Sequence, residues 1–126
     1  MTKLSGSLED YLETIYVLQE KHGQCRITDV ADALSISKAS VNRAVTNLKK
    51  DGLLEHEKYG SIIITDHGKS IAKNIYKRHL ILKNFLINKL GVHPKVAEDD
   101  ACKIEHIISQ ETLDKLISYT EKLNPQ

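Results

Sequence analysis

The stretch "RITDVADALSISKASVNRAVTNLKKDGLLEHEKYGSIIIT", residues 26–65, constrains the fold more than any other part of the chain. Val30, Ala31 and Leu34 recur at helical spacing and predict a short helix, and "SIS" after it makes a tight turn. Val41, Ala44, Val45 and Leu48 line one face of a second helix, which stops at Asp51-Gly52. Two short helices joined by a few turn residues form a helix-turn-helix. Leu53-Leu54 and Ile62-Ile63-Ile64 are strand-like runs on either side of a turn signal, Tyr59-Gly60. A helix-turn-helix followed by a hairpin is a winged helix.

In such a unit the second helix enters the major groove and its N-terminal residues reach base edges. Its outward face carries Ser37, Lys38, Ser40, Asn42, Arg43, Thr46, Asn47 and Lys50. Arg43 suits a bidentate contact to guanine, Asn42 a contact to adenine, and Ala39 a thymine methyl. Lys38, Lys49, Lys50 and, on the wing, Lys58 suit phosphates. Thr28 and Tyr59 complete the expected DNA-facing set. The net charge of +1 neither demands nor excludes nucleic acid, so the local lysine excess carries this reading.

The flanking segments read as helices. "SLEDYLETIYVLQEKHG" places Leu8, Tyr11, Leu12, Ile15 and Leu18 at helical spacing, with Ser7 as N-cap and Gly23 as stop. "TDHGKSIAKNIYKRHLILKNFLINKLG" reads as one long helix of roughly 36 Å, capped by Thr65. Its apolar stripe runs Ile71, Ile75, His79, Leu82, Leu86, Leu90, with a histidine in an aliphatic slot. "HPKVAEDDACKIEHIIS" and "SQETLDKLISYTEKL" give two more helices, with Pro94 in the first turn of the former. The expected fold is mainly α: a winged helix-turn-helix with a two-stranded wing over residues 1–70, then a helical domain over 71–126. The second part is too small for a large core of its own, which points to packing against a second copy.

"CKIEH", residues 102–106, concentrates a thiol, a carboxylate and an imidazole. On a helix, Cys102, Glu105 and His106 share one face. Mixed S, O and N donors suit a first-row divalent transition metal rather than Mg²⁺ or Ca²⁺. His79 by itself reads as a satisfied core histidine. Ser7-x-x-Asp10 fits a capping box, which explains Asp10 well and Glu13 less well. No apolar run is long enough to span a membrane and no signal core opens the chain, so a cytoplasmic protein is expected. Cys25 and Cys102 are then free thiols. A thiol redox sensor built on either cysteine is the alternative regulator. No nucleophile–base constellation or substrate domain suggests an enzyme or a small-molecule substrate.

Taken together, "EDYLETIY" (9–16), "SVNRAVTNLKKDGLL" (40–54), "ITDHGK" (64–69), "RH" (78–79) and "IEH" (104–106) resemble the metal-dependent repressors of the diphtheria toxin repressor family, which includes the manganese transport regulators. The resemblance spans essentially the whole chain. It implies a homodimer that binds double-stranded operator DNA when loaded with Fe(II) or Mn(II) and represses metal-uptake genes, with Co(II), Ni(II) or Zn(II) as substitutes in vitro. It also implies that Asp10, Glu13, His79, Cys102, Glu105 and His106 lie at metal-ligand positions. Asp10 and Glu13 are similar to the manganese-type arrangement, whereas Cys102 is similar to the iron-type choice. Lys83 and Glu98 stand where iron-type members carry an acid and an imidazole. The SH3-like domain of the larger members is absent from the resemblance, which implies a two-domain member.

Overall fold

The computed structural model describes residues 6–58 and 60–123. Its elements are α1 (Gly6–His22), α2 (Ile27–Leu34), α3 (Lys38–Lys50), β1 (Leu54–Lys58), β2 (Ser61–Ile64), α4 (Asp66–Asn88), α5 (Pro94–Ile104) and α6 (Gln110–Leu123). They fall into two compact units, Met1–Asn74 and Ile75–Gln126. The mainly helical class with an N-terminal helix-turn-helix and a two-stranded wing is the one the sequence predicts.

In the first unit, apolar spacing and turn chemistry act together. α2 opens with the Asp29 carboxylate accepting from the Arg26 backbone N–H at 2.9 Å, and it ends at Ser35 in the left-handed region at φ 55°. Two residues later Ser37 caps α3, its hydroxyl accepting from the Ser40 N–H at 3.1 Å. These two caps fix the short turn between the helices. Val41, Ala44, Val45 and Leu48 are all buried. Val41, Val45 and Leu48 join Leu12 and Ile15 of α1, Val30 of α2 and Leu53, Leu54, Ile62 and Ile64 of the hairpin in one core. Truncating a fully buried member such as Leu48 to alanine costs about 2–5 kcal/mol.

The wing is antiparallel, with Leu54 opposite Ile64, Glu55 opposite Ile63 and Lys58 opposite Ser61. Burial alternates along β2, so Ile62 and Ile64 face the core. Its inner edge is tied to the segment before α2: Arg26 bridges Ser61, and the Ile62 N–H donates to the Cys25 carbonyl at 2.7 Å. Thr65 caps α4 as expected, accepting from the Gly68 N–H at 3.0 Å while donating to the Gly52 carbonyl at 2.8 Å. Gly68 has no room for a side chain, because a Cβ there would press into the Leu53 carbonyl.

The second unit holds the end of α4 with α5 and α6. Leu82, Ala101 and Leu113 form its small core, flanked by Ile81, Ile104, Ile108, Leu116 and Ile117. Pro94 occupies the first turn of α5, and His93 caps it, Nδ1 accepting from the Lys95 N–H at 3.2 Å. Ser109 caps α6 in the same way, accepting from the Thr112 N–H at 3.1 Å.

Several boundaries differ from the sequence reading. α1 opens at Gly6, so Ser7 lies inside the first turn rather than at the cap. α4 stops at Asn88, where Gly91 at φ 69° and a bond from the Val92 N–H to the Leu86 carbonyl close the turn. Leu90 therefore leaves the stripe and is exposed. α5 ends at Ile104, not beyond His106. Glu105 still has helical angles, but the His106 and Ile107 N–H groups turn to the carbonyls three residues back.

Candidate metal centre and recognition helix

α3 buries one face and exposes the other. Thr28 on α2 and Ser37, Lys38, Ala39, Asn42, Arg43, Thr46 and Lys50 are exposed, while Ser40 and Lys49 are half-buried. Some expected contacts already have partners within the fold. The Ser37 hydroxyl caps α3 and donates to Ser40 Oγ, and Thr46 Oγ1 donates to the Asn42 carbonyl at 2.9 Å. Lys38, Asn42, Arg43, Asn47 and Lys50 supply the exposed cationic and amide side chains of this face. Arg43 and Asn47 also border an open groove against Ser7 and Tyr11 of α1, a neighbourhood that helix periodicity alone did not suggest. Tyr59 lies outside the described residues, as does the side chain of Lys58.

The second unit gathers His79, Glu98, Cys102 and Glu105. His79 is 5% exposed and Glu105 fully buried. His79 Nδ1 stands 3.0 Å from Glu105 Oε1 and 3.8 Å from Cys102 Sγ. On the other side of the ring, Nε2 stands 2.5 Å from Glu98 Oε2, and that oxygen lies 3.7 Å from Lys83 Nζ. Helical spacing produces this arrangement. Lys83 follows His79 by four residues on α4, and Glu98 precedes Cys102 by four on α5, so each pair shares a helix face.

The electrostatics follow from the geometry. The hydrogen bond to Glu105 pushes the His79 imidazole up to about 9; the negative charges of Glu105 and Glu98 add to it, and burial opposes it. Without a metal, the ring is therefore an imidazolium held between two carboxylates. Tyr76 lies nearly parallel to it, at 6.3 Å between ring centres.

The residues fit a divalent transition metal. The donor atoms of His79, Glu98 and Cys102 lie within 4.8 Å of one another. Glu105 Oε2 is buried with no hydrogen-bond partner among the described residues. A buried carboxylate oxygen without a partner is costly, and a cation beside it removes that cost. One thiol, one imidazole and carboxylates form a donor set of the first-row divalent type.

Of the residues singled out from sequence, His79, Cys102 and Glu105 are thus brought together. His106, half-buried beyond the end of α5, belongs to none of the close donor groups among the described residues. Asp10 and Glu13 are half-buried on α1, three residues apart and on one side of that helix. Glu98 was not singled out from the sequence as part of this site, although its spacing to Cys102 was a usable signal. Cys25 is fully buried, and its thiol is pushed up to about 11 by desolvation first and the Asp29 charge second. Both effects disfavour the thiolate, the form of a cysteine that reacts.

Comparison with known proteins matches two family models to the chain. Residues 3–62 match the family description "Iron dependent repressor, N-terminal DNA binding domain" and residues 65–125 match "Iron dependent repressor, metal binding and dimerisation domain". The HTH-type transcriptional regulator MntR of Bacillus pumilus is 41% identical over 110 residues, spanning 87% of this chain and 76% of the relative. MntR of Bacillus subtilis is 39% identical over 119 residues, spanning 92% and 83%. A solved manganese-dependent transcriptional repressor in complex with manganese superposes with a TM-score of 0.81 at 26% identity, over 89% of this chain and 51% of that one. These relatives are transcriptional regulators and not enzymes. The chain belongs to the iron-dependent repressor family of metal-dependent, helix-turn-helix transcriptional regulators.

Proposed function

We propose that this chain represses metal-uptake genes as a homodimer, binding operator DNA when Fe(II) or Mn(II) occupies a site on each subunit. The observation that carries the proposal is the buried Glu105 Oε2, without a hydrogen-bond partner among the described residues, in the side chain that meets His79 beside the Cys102 thiol. His79, Cys102 and Glu105 would hold the ion, with Asp10, Glu13 and His106 as further donors. Cys102 softens the donor set toward Fe(II), and Asp10 and Glu13 harden it toward Mn(II); we place Fe(II) slightly ahead. Zn(II), Co(II) and Ni(II) are substitutes in vitro.

When bound, the ion supplies two positive charges and bonds that join its donors. The chain's own residues do the rest. Asp10 and Glu13 belong to α1 of the DNA-reading unit, whereas His79, Cys102 and Glu105 belong to the dimerising unit. Metal binding would thereby be linked to the spacing of the two reading heads. Those heads must be about 34 Å apart, or a multiple of it, to meet successive major grooves. Arg43 and Asn42 read bases, and Lys38, Lys49 and Lys50 hold phosphates. The exposed apolar side chains of Leu80, Ile107 and Tyr119 on the second unit supply material for a contact between copies. No described helix is long and apolar enough to cross a membrane. The site of action is the cytoplasm, where the DNA lies.

The test is anaerobic DNA binding by the full chain, using duplexes enriched from a random library by metal-loaded protein. Titrations with Fe(II), Mn(II), Zn(II) and chelator should separate loaded from stripped protein by at least tenfold in affinity. Equal affinity with chelator and with every metal would overturn the proposal.

A further inference from the structure

His79 presents its two ring nitrogens to different surroundings. Nδ1 faces Glu105 at 3.0 Å and Cys102 at 3.8 Å, both of them ligands in the function proposed above. Nε2 faces Glu98 at 2.5 Å, and the same Glu98 oxygen is 3.7 Å from the Lys83 ammonium. A neutral imidazole offers a metal one nitrogen and donates from the other. The partner of the donating nitrogen decides which is which.

We propose that Glu98 and Lys83 make this choice: Glu98 accepts the Nε2–H of His79 and so leaves Nδ1 to the metal, while Lys83 bars a second cation from the Nε2 side. The inference rests on the metal site proposed above. Glu98 is then a positioning residue, the carboxylate that commonly orients a metal-bound histidine and raises its basicity. Lys83 has two effects. Its charge braces Glu98 against the ring, and it repels any divalent ion that would share the same carboxylate oxygen. Exposure makes that second effect necessary. The Glu98 side chain is 45% exposed and Lys83 32%, so cations in solution reach this carboxylate. Without the lysine, the half-exposed Glu98 carboxylate would stand uncovered to cations from solution.

The experiment uses the full chain and Co(II) as probe, under anaerobic conditions. Metal content after dialysis gives stoichiometry, and the thiolate-to-cobalt absorption band reports Cys102. A proton–nitrogen correlation spectrum of the Zn(II)-loaded protein reports which nitrogen of His79 keeps its proton. Both side chains are partly exposed, so the variants should retain the fold, and melting curves of the metal-free proteins check this. Lys83→Glu should bind one more ion per subunit than the wild type, with an unchanged thiolate band. Lys83→Gln should gain the same ion at higher cobalt concentration. Glu98→Gln should keep the wild-type stoichiometry and thiolate band but bind roughly tenfold to hundredfold more weakly. The Zn(II) form should carry its proton on Nε2. A metal bond at Nε2, no additional ion in Lys83→Glu, or unchanged affinity in Glu98→Gln would each overturn the inference. Wild-type protein that binds Co(II) without a thiolate band would overturn the proposed metal site as well, which separates the two failures.

Discussion

His79 and Glu105 join the middle of α4 to the end of α5 through a contact of 3.0 Å between Nδ1 and Oε1, with both side chains buried. Around that contact stand a thiol and a second carboxylate. The pair serves two states. Without a metal it is an imidazolium–carboxylate ion pair; with one, both members become ligands.

The first consequence is a pH dependence with opposite signs for stability and for metal binding. His79 is raised from 6.5 to about 9 in the fold. A raised histidine stabilises the folded protein fully below the unfolded value and loses that contribution as pH rises through the folded one. The melting temperature of chelator-treated protein should therefore fall by a few degrees between pH 6.5 and 9. Metal affinity should rise over the same interval, because the ion must displace the proton. Both trends are expected to flatten in His79→Gln. Calorimetry and metal titration at several pH values check them.

Removal of the thiol should change which metal is preferred. In Cys102→Ser a hard, weakly acidic hydroxyl replaces a soft donor. Affinity for Fe(II), Co(II) and Zn(II) should drop by more than tenfold, and that for Mn(II) by less. Competition titrations against a fluorescent chelator give the ratio directly.

Glu105 should link the ion to stability. A ligand at about a hundred times its dissociation constant stabilises the folded state by about 2.7 kcal/mol. Saturating metal should thus raise the wild-type melting temperature by several degrees. In Glu105→Gln most of that rise should disappear, since the buried carboxylate charge is gone.

On the reading helix, two kinds of substitution should separate. Arg43→Ala should cost about 1–3 kcal/mol of specific binding and relax preference at one base position. Lys50→Ala should weaken all sequences alike and flatten the salt dependence by about one counterion. Gel-shift titrations on matched and mismatched duplexes, at several salt concentrations, distinguish them.

Packing gives a prediction free of metal. Gly68→Ala drives a methyl group into the Leu53 carbonyl, a backbone atom that cannot swing aside. A loss of about 1–3 kcal/mol in urea unfolding is expected, with metal stoichiometry unchanged.

Much of the first unit was legible in the sequence, because each local signal agreed with the next. The spacing of Val41, Ala44, Val45 and Leu48, the "SIS" turn and the Thr65 cap all pointed to the elements that form. The second unit was less legible, for physical reasons. Nothing like proline or glycine marks the end of α5; only a tightening of the backbone bonds after Glu105 does, and that depends on tertiary packing. Leu90 continues the apolar period of α4, yet Gly91 closes the helix before it. Glu98 sits beside Asp99 and Asp100 and reads as part of a solvated acidic face. Only the approach of α4, with His79 and Lys83, gives it a separate role.

The most direct measurement of the central claim is a closed thermodynamic cycle on the full chain. Metal affinity is determined with and without the enriched duplex, and duplex affinity with and without metal. Coupling between two sites is reciprocal, so the two ratios must agree. The expected result is a common factor above ten for Fe(II) or Mn(II), lost together in Glu105→Gln. A factor of one, with metal bound as tightly in the presence of DNA as in its absence, would contradict a metal-switched repressor.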